Sequence, residues 1–193
     1  LPLILMPGRL TRWKGQTVLL EALARLDGLD YRCVMVGSDQ GRAAYRRELE
    51  ALIARHGLGG RVSIMDECGD MPAAYMLSDV VVSASTDPEG FGRTVGEAQA
   101  MGRPVVASDH GGAREQIIAE RTGFLFPNGD AAALAAGLRK ALTLAPEARA
   151  RLHDEAIARV RGEFTKDLMC ARTLGLYREV LRAGAGAHSR SAV

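Results

Sequence analysis

The 193 residues suffice for one domain, or one domain with an appendage, and for burying about two-thirds of the unfolded surface. With 25 basic against 23 acidic residues the net charge is +2, and aromatics make up 5%, which argues against a surface that coats nucleic acid or stacks bases. Cys33, Cys68 and Cys170 are far apart and form no CxxC pair, so neither a zinc site nor a disulfide framework is expected, and a reducing cytoplasm is the natural setting.

The chain opens "LPLILMPGRL", without an initiator Met and already inside an apolar run. The expectation is a piece of a longer protein, with part of the machinery elsewhere. No apolar run reaches the roughly 20 residues of a membrane span, and no signal-peptide pattern is present. A cytoplasmic protein is expected, with peripheral contact at the inner face of a membrane left open for the missing part.

In chain order, apolar runs at 1–6, 31–37, 61–65, 79–85, 104–108 and 123–126 read as strands. Most are rich in β-branched residues and apolar at consecutive positions, as in strands covered on both faces. Amphipathic helices fall between them. Val18, Leu19, Ala22, Leu23 and Leu26 make one stripe; Tyr45, Leu49, Leu52 and Ile53 another; Leu134, Leu138 and Leu142 a third. Alternating strands and helices predict an α/β fold: a doubly wound, six-stranded parallel, Rossmann-like sheet. After Pro146 the pattern is helical only, with Thr165 as N-cap of the last helix. The expected organisation is a domain over 1–164, a C-terminal helix over 165–182 and a disordered tail over 183–193.

Ligands of such sheets sit beyond the carboxyl ends of the strands. After the first strand, "PGRLTRWKGQ" brings Arg9, Arg12 and Lys14 into one basic loop that feeds a helix, a suitable place for a phosphate. After the fourth, "TDPEGFGRTVGEAQAMG" offers Gly90 and Gly92 for close backbone approach and a helix beginning near Thr94. Glu89 lies on the loop and Glu97 is read into the first helical turn, placed to hold opposite ends of an extended ligand. The same stretch fits G-x-G-x-x-x-G, with Asp109 ending the next strand, so an NAD(P)-linked Rossmann enzyme using Gly90, Gly92, Gly96 and Asp109 is an alternative. Against it, four residues precede the first glycine and the motif follows the fourth strand rather than the first. "DPE", Asp87 to Glu89, makes a weak metal motif because no second acid cluster accompanies it. "SDHGGARE" adds Gly111 and Gly112 as a second close-approach loop, and His110 reads as a loop residue.

The ordered series "GRLTRWKG", "PEGFG…GEAQAMGRPVVAS", "GGARE" and "TGFLF" resembles the C-terminal, donor-binding domain of GT-B fold, family 4 ("group 1") retaining glycosyltransferases. The resemblance implies that Arg9 and Lys14 hold the donor diphosphate with help from the Gly8 amide. It implies that Glu89 accepts from donor sugar hydroxyls, that the amides of Phe91, Gly92 and Arg93, beside Gly90, complete the sugar site, and that Glu97 takes the ribose hydroxyls. Glu89, Arg9 and Lys14 are the implied catalytic set. The segment after Val62 is implied to pack the nucleobase, where "IMDECGD" departs from the family's usual pattern. The implied function is retaining hexosyl transfer from a nucleoside-diphosphate sugar to a sugar or lipid acceptor, in glycan or lipopolysaccharide biosynthesis. No metal, other cofactor or nucleic-acid partner is expected. The acceptor domain is expected in the missing N-terminal part, leaving this chain inactive alone. A non-catalytic nucleotide-sugar-binding module is the alternative from another class.

Overall fold

In this computed structural model the backbone is described for residues 1–188 and the side chains through Ala183. Six strands, β1 (Leu3–Pro7), β2 (Arg32–Val36), β3 (Val62–Met65), β4 (Val80–Ser83), β5 (Val105–Ser108) and β6 (Phe124–Phe126), form one sheet. Their order is β3-β2-β1-β4-β5-β6, and every pairing is parallel. All six expected strands are present, each beginning one or two residues later than expected, and β1 runs one residue further, to Pro7.

Consecutive apolar positions are explained by two cores. In β1, Ile4 and Met6 face one core and Leu5 the other; in β4, Val80 and Val82 face the first and Val81 the second. The first core is closed by α1 (Gln16–Leu23), α2 (Ala43–Arg55) and α6 (Ala131–Leu142), through Leu19, Leu49 and Leu134 among others. The second is closed by α3 (Met71–Leu77) and α4 (Arg93–Ala100), through Tyr75, Val95 and Ala98, with the single turn α5 (Ala113–Gln116) leading into Ile117.

Helix α3 was not expected from apolar periodicity. Its start is set by Asp70, whose Oδ1 accepts from the Ala73 amide at 3.0 Å, with Pro72 in the first turn. Helix α7 (Pro146–Glu163) packs along α4, and Thr165 Oγ1 caps the final helix by accepting from the Leu168 amide at 3.3 Å. That helix, α8 (Lys166–His188), runs past the boundary expected at 182, so residues 183–188 of the expected tail are helical. Residues 189–193 of that tail lie outside the described residues.

The order places β1 beside β4, with the sheet growing outward on both sides of that pair. Loops leaving β1 and β4 therefore diverge and open a crevice at the carboxyl edge. That is the switch point at which doubly wound sheets bind ligands.

Candidate functional site

The loop after β1 is pinned against the end of β4. Gly15 has φ +75°, and a Cβ there would stand 1.9 Å from the Ala84 carbonyl oxygen, so a side chain has no space as well as an unfavourable backbone. The Thr86 amide donates to the Trp13 carbonyl at 2.7 Å. This crossing delivers Lys14 to the β4 loop. Lys14 Nζ donates to Glu89 Oε1 at 2.8 Å, with side chains only 14% and 19% exposed, and lies 4.4 Å from the centre of the Trp13 ring. Ser85, buried at the end of β4, also donates its hydroxyl to Glu89 Oε1.

The Glu89 loop is braced from behind. Gly111 and Gly112 do make a close approach, but to this loop and not to the cleft. The Gly112 amide donates to the Glu89 carbonyl at 2.9 Å, and a Cβ on Gly112 would meet the Phe91 carbonyl oxygen at 2.3 Å. Gln116, fully buried, donates through Nε2 to the Phe91 carbonyl. Among the described residues, the amides of Phe91, Gly92 and Arg93 donate to no protein acceptor and remain free at the start of α4.

Glu97 sits in the second turn of α4, not the first, because the helix begins at Arg93. It is therefore not stabilised at the helix N-terminus. It is held instead by the Tyr75 hydroxyl, which donates to Glu97 Oε2 at 2.8 Å. Burial pushes the Tyr75 phenol far up, and the bond to Glu97 pushes it further, so it stays protonated and serves as a donor. Sequence reasoning missed Tyr75 because it missed α3; the Asp70 cap with Pro72 close behind was the available signal.

These groups face one cleft of about 780 Å³ at the carboxyl edge. Gly8, Arg9, Lys14, Glu89, Gly90, Phe91, Gly92, Arg93 and Glu97 all line it, so the structure brings together the residues that the family resemblance implied for the donor site. Asp66, Glu67, Cys68 and Met71 line it too, from the segment after β3. Two expectations change. The Gly8 amide already donates to the Val36 carbonyl at 2.8 Å, so it is engaged in the sheet edge and not free for a ligand. Arg12 turns away from the cleft: its guanidinium makes a two-point contact with Glu48 of α2, at 2.7 and 2.6 Å, and lies 5.1 Å from the Tyr45 ring centre. Arg9 is exposed at the rim, 3.5 Å from Gln40 Oε1.

The features of a dinucleotide site do not assemble. Gly96 is buried inside α4, where a Cβ would meet Gln116 Oε1 at 2.9 Å, and Asp109 pairs with Arg114 at 2.7 Å. No group of three or more His, Cys, Asp or Glu that could hold a metal ion occurs among the described residues.

Residues 1–159 match the sequence pattern of the family described as "Glycosyl transferases group 1". The chain belongs to the group 1 glycosyltransferases. It is 37% identical over 183 residues to a D-inositol 3-phosphate glycosyltransferase of Xylanimonas cellulosilytica, covering 94% of this chain and 43% of that protein. It is 30% identical over 181 residues to an alpha-D-kanosaminyltransferase of Streptomyces kanamyceticus, covering 93% of this chain and 46% of that one. Among solved structures, a glycosyltransferase from Rickettsia africae superposes with a TM-score of 0.90 at 37% identity, over 94% of this chain and 48% of that one. Anabaena HepE in complex with UDP superposes with a TM-score of 0.83 at 33% identity, over 90% and 48% respectively. This group 1 glycosyltransferase chain thus spans less than half the length of these relatives. Among its described residues no helix is long and apolar enough to cross a membrane.

Proposed function

We propose that this chain is the donor-binding part of a retaining glycosyltransferase, which takes a hexose from a nucleoside-diphosphate sugar and passes it to a sugar or lipid acceptor. The observation that carries the reading is the cleft itself, with the Lys14–Glu89 pair at its centre and the Tyr75-held Glu97 also on its wall. HepE, a structural neighbour, has been solved with UDP and with UDP-glucose, which supports a nucleotide-sugar donor here.

Breaking a sugar–diphosphate bond builds negative charge on the leaving group while the sugar takes on oxocarbenium character. Lys14 and Arg9 offset the first charge in place, and the free amides at the start of α4 complete the sugar site. Glu89 takes hydroxyls of the sugar, and Glu97 takes the ribose hydroxyls. Fixing both ends of the donor aims the bond between them at the acceptor. The segment Asp66 to Cys68, with Met71, packs the base. The scheme assigns no metal, and unchanged donor affinity in EDTA is its check.

In this reading the acceptor site belongs to a second domain, and the cytoplasmic protein carries out glycan or lipopolysaccharide assembly at the membrane's inner face. The exposed apolar residues of α8, Met169, Leu176, Tyr177 and Leu181, face that second domain. Calorimetric titration with UDP, GDP, ADP and NAD tests the donor class. One nucleoside diphosphate binding well above NAD is expected, and NAD binding above all three overturns the proposal. The chain alone, incubated with labelled nucleotide sugar and an acceptor, should yield no glycoside above background.

A further inference from the structure

Glu89 is on an irregular loop, yet the proposed function needs its carboxylate in one orientation. Two donors fix it, Lys14 Nζ and the Ser85 hydroxyl, both on Oε1. With a donor bound, Lys14 also has a diphosphate to serve, so the constant partner of the carboxylate is Ser85. Ser85 is held in turn. His110, which follows β5, places Nε2 2.7 Å from the Ser85 carbonyl oxygen. A carbonyl only accepts, so Nε2 carries the proton and Nδ1 is left for another partner. His110 Nδ1 and Ser108 Oγ are both buried without a partner among the described residues. Their residues, with Ser83, Ser85 and Glu89, line a small, partly open space of about 10 Å³ backed by Gly92, Val95 and Ala113, about the size that takes a single water. Four polar side chains besides Glu89 would not be needed merely to fill a gap behind a loop, which apolar residues do better.

We propose that Ser85 and His110 are positioning residues for Glu89: His110 fixes the Ser85 backbone across β4 and β5, and the Ser85 hydroxyl aims the carboxylate at the donor sugar. The inference rests on the proposed donor site. It assigns to "SDHGGARE" a part in sugar recognition that neither its glycines nor an isolated His indicates.

The test compares UDP with UDP-glucose by calorimetry, or GDP with GDP-mannose if guanine is the base selected, for the unaltered chain, Glu89→Gln, Ser85→Ala, His110→Ala and His110→Gln. Ser85→Ala and His110→Ala should each weaken the sugar nucleotide by about 3–10-fold while moving the plain diphosphate by under about 2-fold, the scale of one net hydrogen bond felt only by the sugar. Glu89→Gln should shift the same ratio. His110→Gln, whose amide can donate to the Ser85 carbonyl, should restore it to within about 2-fold. Equal weakening of both ligands, or an unmoved ratio in Ser85→Ala, overturns the inference; Ser85→Ala serves if His110→Ala does not fold. An unaltered chain that binds neither ligand overturns the donor-site reading and this inference together, whereas normal binding with an unmoved ratio overturns this inference alone.

Discussion

Lys14 Nζ donates to Glu89 Oε1 at 2.8 Å, joining two largely buried charges that lie 75 positions apart in the chain. The cation is therefore oriented before any donor arrives, and the carboxylate beside it is screened from an incoming diphosphate. Deleting only one partner leaves the other charge in a partly dry cleft, which costs more than the pair contributes.

Lys14→Ala should weaken nucleoside-diphosphate binding by about 1.5–3 kcal/mol, the range for hydrogen bonds to charged groups, and barely affect the nucleoside. Part of that loss is repulsion from an unmasked Glu89. Lys14→Ala combined with Glu89→Gln should therefore bind the diphosphate more tightly than Lys14→Ala alone. Titrating UDP into the four proteins of this double-mutant cycle measures it. A double mutant weaker than Lys14→Ala would show that Glu89 does not face the phosphates.

Tyr75 makes a second prediction. Its hydroxyl is the protein donor to Glu97, so Tyr75→Phe removes one bond and little volume. Affinity for ribonucleotides should fall by about 1 kcal/mol, near the mean for a hydrogen bond. A 2′,3′-dideoxy analogue should lose much less, and Glu97→Gln should show the same selectivity. Equal losses on ribo and dideoxy ligands would place Glu97 away from the ribose.

How much of this was legible follows from the physics of each signal. Buried parallel strands write continuous apolar runs, so all six were found, whereas the strand order that sets the switch point is written in no single run. The glutamates and basic residues are marked by their spacing around glycines, and nine selected positions line one cleft. Hydrogen-bond saturation leaves no such mark. That the Gly8 amide is engaged by Val36, that Arg12 prefers Glu48, and that Gly112 packs on Phe91 depend on where distant backbone passes. Tyr75 was hidden for another reason. The short helix that carries it has one buried residue, too few for a visible stripe.

The tyrosines set an alkaline limit. Burial pushes Tyr31 and Tyr75 up, and Tyr45 up to about 12, from the ordinary value of 10.0. Raised folded values mean that the unfolded chain loses these protons first. Their contribution to stability is therefore complete below about pH 10 and declines as pH rises toward the folded values. Denaturant midpoints should fall between about pH 10 and 12, and ionisation of these three phenols, followed by ultraviolet absorbance, should coincide with loss of helical signal. Ionisation of all three in a fully folded chain at pH 10 would contradict their burial.

Phe91 and Phe164 tie the cleft to the C-terminal helices. Their ring centres lie 5.8 Å apart at 64°, an edge-to-face pair between the Glu89 loop and the residue that ends α7. Arg159 reinforces the junction: its guanidinium lies 5.4 Å from the Phe164 ring centre, and its Nε donates to the Gln116 carbonyl at 2.8 Å. Gln116 in turn holds the Phe91 carbonyl. Phe164→Ala removes the aromatic contact, worth about 0.5–1.5 kcal/mol beyond area burial. In a chain of this size that term alone lowers Tm by roughly 1–6 °C. Diphosphate affinity, set at Lys14 on the far side of the loop, should stay nearly constant, while the sugar nucleotide loses affinity as Phe91 and its free amide shift. Calorimetry on both ligands, beside a thermal melt, separates the two effects. A Phe164→Ala chain that melts lower yet keeps its full preference for the sugar nucleotide would show that the helices brace the fold without tuning the cleft.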